Sequence, residues 1–82
     1  MEIERIILVF KKTGETVFKE IDAGDLKLSL IKMLFKASED DPKYYRPYPI
    51  NQIQYDELVM HIPELKLYPC TKYDLYLETV SV

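Results

Sequence analysis

The side chains of this chain that could do covalent or metal chemistry are few and scattered. There is one histidine, His61, and one cysteine, Cys70. A nucleophile needs a base within hydrogen-bonding reach, and His61 has no cysteine, serine or second histidine beside it in sequence to form such a pair. It reads instead as a residue near the end of a helix, meeting solvent or the negative helix terminus. Cys70 belongs to no CxxC motif and has no second cysteine to bond, so zinc binding, dithiol redox chemistry and an internal disulfide all lack a basis. Glu39-Asp40-Asp41 resembles a cation site only in charge: it lacks the ligand spacing and glycine of an EF-hand and runs directly into Pro42. Gly14 and Gly24 form no phosphate-binding loop. The expectation is a protein with no catalytic residue, no metal and no cofactor, and not an enzyme.

The remaining chemistry is recognition by charge and aromatic surface. The net charge is -3; residues 1–37 hold six acids and seven bases, and residues 38–82 hold eight acids and four bases. A nucleic-acid binder needs a basic face to displace counterions from phosphate, so this balance argues against one and favours a basic partner. The competing reading is that the acids serve solubility alone. Beside Glu39-Asp40-Asp41 stand Tyr44 and Tyr45, with Tyr48 further along. Tyrosine offers a large contact area and a hydroxyl for few rotatable bonds, which suits an interface, although some of these rings can pack back on the core. Asp56 and Glu57 add a second acidic pair on the outward side of a helix. The candidate partner-binding residues are therefore Glu39, Asp40, Asp41, Tyr44, Tyr45, Asp56 and Glu57.

The elements that position these residues follow from periodicity. Ile6-Ile7-Leu8-Val9-Phe10 is a β-branched, unbroken apolar run, as in a strand covered on both faces. Gly14 suits a reversal into a return strand, Glu15 to Ile21, whose alternation sets Val17, Lys19 and Ile21 against Thr16, Phe18 and Glu20. Asp22 and Asp25 can cap a helix running from Leu26 to Ala37, with Leu26, Leu30, Met33, Leu34 and Ala37 inward and Ile31 and Phe35 widening the stripe. Residues 43–50 follow neither period and read as a long loop. Asn51 and Gln54 then form a capping box with Ile50 and Tyr55 as a hydrophobic staple, so a second helix begins at Gln52, buries Tyr55, Leu58, Val59 and Ile62, and stops before Pro63. Tyr73 to Val80 alternates as a strand. A lone strand leaves its backbone groups unpaired, so this one must return to the N-terminal hairpin.

The pattern Tyr48-x-Ile50-x3-Gln54-x3-Leu58, with Tyr73-Asp74-x-Tyr76-x-Glu78 after it, resembles a family of small bacterial proteins, some encoded beside polymorphic toxins. In that setting they look like immunity proteins of contact-dependent growth inhibition. The resemblance covers most of the chain as strand-strand-helix-helix-strand. It implies that the chain binds and neutralises a cognate toxin C-terminal domain delivered by neighbouring cells.

These readings combine into one expectation. Residues 1–82 form a single α+β domain with a three-stranded, largely antiparallel sheet, the N-terminal hairpin joined by the C-terminal strand in the order 2-1-3, and two helices on one face. If the helices reverse direction in turn, the third strand runs parallel to the first; pairing on the other edge instead makes it antiparallel to the second. A hydrophobic content of 48% with 30% charged residues fits a folded chain. No apolar run reaches the roughly 18 residues needed to span a bilayer, and Glu2 and Glu4 ahead of Arg5 do not fit a signal peptide, which predicts a cytoplasmic protein without a membrane partner. The expected function is toxin neutralisation, by blocking the basic cleft of a nuclease. The alternative is a non-toxin interaction module or regulatory subunit.

Overall fold

The computed structural model describes residues 3–14, 16–36, 41 and 46–81. Among the described residues four strands form one antiparallel sheet: β1 (Ile3–Lys11), β2 (Val17–Asp22), β3 (Tyr48–Pro49) and β4 (Tyr73–Ser81), in the spatial order β2-β1-β4-β3. Helix α1 (Leu28–Leu34) lies between β2 and β3, and helix α2 (Gln52–His61) with a 3-10 turn (Pro63–Leu67) lies between β3 and β4. The hairpin and the returning C-terminal strand occupy the expected 2-1-3 positions. The strand count and the element order need correction, because β3 makes the sheet four-stranded and the order β-β-α-β-α-β. β3 is only two residues long, too short to show a period, and exists because Tyr48 and Pro49 pair with Leu77 and Tyr76. β4 also runs antiparallel to β1, in register from Ile3↔Ser81 to Lys11↔Tyr73. The pairings set β1 and β3 in one direction and β2 and β4 in the other, so the chain makes one net reversal across α1 and one across α2 with its 3-10 turn, rather than one at every element.

One face of the sheet carries the core. Ile7 and Val9 of β1, Ile21 of β2, and Leu75 and Leu77 of β4 are at most 2% exposed, and they cluster with Ile31 of α1, Tyr55 and Leu58 of α2 and Leu65 of the 3-10 turn. Every buried sheet residue lies on this face. The pairings Ile7↔Ile21 and Val9↔Lys19 continue as Phe10↔Val17, so Phe18 is an extra residue at a β-bulge. The bulge corrects the expected facing of β2. It turns Phe18 toward Tyr68 and Tyr73, with ring centroids 6.2 and 5.7 Å away, and sets Val17 opposite Phe10 on the other face.

Helix α1 is shorter than expected and rotated. Asp22 does not cap it: its carboxylate accepts from the Gly24 N–H at 2.8 Å, closing a turn, and the helix starts only at Leu28 behind Lys27. Ile31 is its buried residue, whereas Met33, placed inward by the sequence, is 69% exposed. Leu26 and Phe35 are buried from just outside the helix ends.

Helix α2 starts where the capping box places it. The Asn51 side chain accepts from the Gln54 N–H and the Gln54 side chain accepts from the Asn51 N–H, both at 2.8 Å. The Gln54 amide nitrogen also donates to the Leu34 carbonyl at 2.9 Å, which ties the two helices together. Asn51→Ala should lower the unfolding free energy by about 1 kcal/mol in a chemical denaturation series.

The Tyr55 hydroxyl donates to the buried Leu65 carbonyl at 2.8 Å. Burial pushes its pKa above the usual 10.0, aided by the nearby negative potential of Cys70 and Asp56. The folded state thus holds this proton to higher pH than the unfolded chain. The resulting stability is complete below about pH 10 and is lost as pH rises through the raised folded value. Stability measured above about pH 10 should therefore decline more steeply for the native chain than for Tyr55→Phe.

Candidate partner-binding surfaces

The seven residues singled out by charge and aromatic content fall in three places. Glu39, Asp40, Tyr44 and Tyr45 lie outside the described residues. Asp41 is 5% exposed, with its carboxylate accepting from the Tyr48 hydroxyl and from the Arg46 N–H at 3.1 Å. The Tyr48 ring in turn lies 6.1 Å from Phe35, so Asp41 is tied through its tyrosine to the core. Asp56 and Glu57 are on α2, Asp56 exposed and Glu57 partly so.

The outward side of α2 is not purely acidic. The helix turns Tyr55, Leu58 and Ile62 into the core, and the geometry of 3.6 residues per turn then sends Ile53, Asp56, Glu57 and Met60 outward as one ridge. Ile53 is 79% exposed and Met60 is 74% exposed. These two apolar side chains bracket the acids at positions one and two turns along the helix. Sequence reasoning named the acids and missed their apolar neighbours. The signal was present in the seven-residue spacing of Ile53 and Met60 on the side away from Tyr55.

Local bonds fix the posture of the ridge. The Gln52 amide donates to Asp56 at 2.8 Å, and His61 Nε2 lies 3.8 Å from Glu57 Oε1, one helical turn on. The Gln52–Asp56 hydrogen bond holds both side chains along the axis and contributes a few tenths of a kcal/mol. At the start of the helix the Cys70 thiol, partly buried, donates to the Gln52 side-chain oxygen at 2.9 Å. His61 and Cys70 thus have local partners on α2. Among the described residues, no three His, Cys, Asp or Glu side chains converge as metal ligands, and no helix is long and apolar enough to cross a membrane.

The ridge can bind a complementary surface that has apolar contact area and positive charge. Exposed apolar atoms supply the area-dependent attraction, and the acids select and steer a basic partner. Residues 4–78 match the family described as "Domain of unknown function (DUF7683)", and the chain belongs to it. No curated protein and no solved structure matches the chain.

Proposed function

We propose that this protein is a cytoplasmic immunity protein that binds a cognate toxin domain, a nuclease, and blocks its basic cleft without performing chemistry. The observation that carries this reading is the α2 ridge, where Ile53 and Met60 stand in solvent on either side of Asp56 and Glu57. A nuclease cleft is basic because it binds phosphate, so an acidic, partly apolar ridge complements it in both charge and desolvation. The resemblance around Tyr48, Gln54, Leu58 and the Tyr73–Glu78 strand supports the toxin as the partner class. Glu39, Asp40, Tyr44 and Tyr45, outside the described residues, remain proposed partner-binding residues on their charge and aromatic character alone. Asp41 serves it indirectly, by holding Tyr48.

The test is calorimetric titration of the chain with the toxin domain encoded by the adjacent gene. Binding should weaken steeply with salt, and the combined variant Glu39→Gln, Asp40→Asn, Asp56→Asn and Glu57→Gln should lose about tenfold or more in affinity, mainly through slower association. Unchanged affinity in that variant sinks the electrostatic mechanism. A failure to bind the adjacent toxin, with tight binding to another protein, favours the interaction-module alternative.

A further inference from the structure

The apolar run of β1 calls for cover on both faces, yet the helices cover only one. On the opposite face β1 presents Ile6, Leu8 and Phe10, all half-buried, and β4 presents Tyr76 and Val80 beside them. Val17 joins them through the bulge, and Pro49 through its pairing with Tyr76. A sheet with one face in water ordinarily alternates apolar with polar residues, and β1 does not. None of the buried residues belongs to this second face.

The charged residues at the paired positions of this face are acids. The register places Glu4 on β1, Glu20 and Asp22 on β2, and Asp74 and Glu78 on β4 around the apolar stripe. No lysine or arginine occupies a paired position on it. Lys12, in the turn after β1, reaches Asp74 at 3.0 Å, where both side chains remain about half exposed. At that end Leu8, Phe10, Tyr76 and Pro47 wall a concavity of about 430 Å³, with Asp74 and Glu78 in its lining. That size is within the range of roughly 300–1,000 Å³ typical of ligand sites. Phe10 and Tyr76 meet edge to face, 5.7 Å between centroids, which fixes one wall.

We propose that this open sheet face is a second docking site, separate from the α2 ridge, for a segment of a partner protein that inserts an aromatic or branched apolar side chain flanked by lysines or arginines. The apolar anchor enters the concavity between Leu8, Phe10 and Tyr76. The flanking bases meet Glu78 on β4 and Glu20 on β2. Charge decides against the other occupants: nucleic acid and anionic membrane are repelled by the acids, of which Lys12 offsets Asp74, and a second copy would bring the same excess of acids against them.

The test is an NMR amide titration of the full chain with a short capped peptide carrying one central phenylalanine between lysines. A second peptide has glutamate in place of each lysine. Saturable shifts should centre on Leu8, Phe10, Tyr76 and Glu78, and the apparent Kd should rise about tenfold between roughly 50 and 500 mM salt. Glu20→Lys with Glu78→Lys should weaken binding about tenfold, while Glu64→Lys, exposed on the 3-10 turn, leaves it unchanged. Shifts centred on Ile53 to Met60, no saturable shifts, an equal response to the glutamate peptide, or self-association through this face would each overturn the proposal. Because the peptide requires no toxin, its failure is distinguishable from a failure of the toxin reading.

Discussion

Leu77→Ala should lower the unfolding free energy by about 3 kcal/mol, while Tyr76→Ala, one residue away on the same strand, should lower it by about 1 kcal/mol. The two residues share a backbone environment and differ in the face they occupy. Leu77 is 1% exposed, opposite Ile7 on one neighbouring strand and Tyr48 on the other, so its truncation removes buried methyl groups and leaves a cavity at the centre of the sheet. Tyr76 is half-buried on the open face, and its loss removes mainly the edge contact with Phe10. Against the total of about 5 to 10 kcal/mol usual for a domain of this size, the first change is severe and the second is tolerable. Urea denaturation checks both, with the midpoint falling and the slope unchanged. Equal costs, or a larger cost at Tyr76, would mean that the sheet is covered on the wrong side.

Removing the Asp41 carboxylate should be almost as damaging. Asp41→Ala takes an acceptor from the Tyr48 hydroxyl and the Arg46 N–H in a site that is 5% exposed, and hydrogen bonds to a charged group are the stronger kind. The expected loss is about 2 to 3 kcal/mol. A double-mutant cycle with Tyr48→Phe should return a coupling of at least about 1 kcal/mol, since the two side chains share one bond. The damage should also have a place. β3 is held to β4 next to the bond from the Ile50 N–H to the Leu75 carbonyl, 2.9 Å long, so the Ile50 amide should exchange faster in Asp41→Ala while the Ile7 amide does not. Loss of protection at both amides alike would make Asp41 a global rather than a local support.

What the sequence made legible is what depends on neighbours in sequence. The capping box of Asn51 and Gln54 closes over three residues, and the burial of Tyr55, Leu58 and Ile62 follows from helical geometry once that start is known. The long alternation of Tyr73 to Val80 is equally local, and its demand for a partner leads to β1. What escaped depends on distant groups. Tyr48-Pro49 becomes a strand only because β4 offers it pairing, and the bulge at Phe18 shows only when two strands are laid side by side. Asp22 could serve equally as a helix cap or as the acceptor of a turn, and the Gly24 N–H takes it. At the candidate site, charge alone identified Asp56 and Glu57. Asp41 carries the same charge, but a tyrosine seven positions away draws it inward.

The place of β4 in the sheet bears on how the chain is made. β4 is an interior strand, bonded to β1 on one side and β3 on the other, yet it is the last of the four to leave the ribosome. The ion pair between Lys12 and Asp74 spans 62 residues of sequence. At a synthesis rate of about 5 to 20 residues per second, the N-terminal hairpin waits roughly 3 to 12 seconds for the strand that completes it. During that interval Ile7 and Val9 on one face, and Ile6, Leu8 and Phe10 on the other, have no finished sheet to join. A chain halted before Tyr73 leaves the hairpin without its central partner, with β1 unpaired along its second edge.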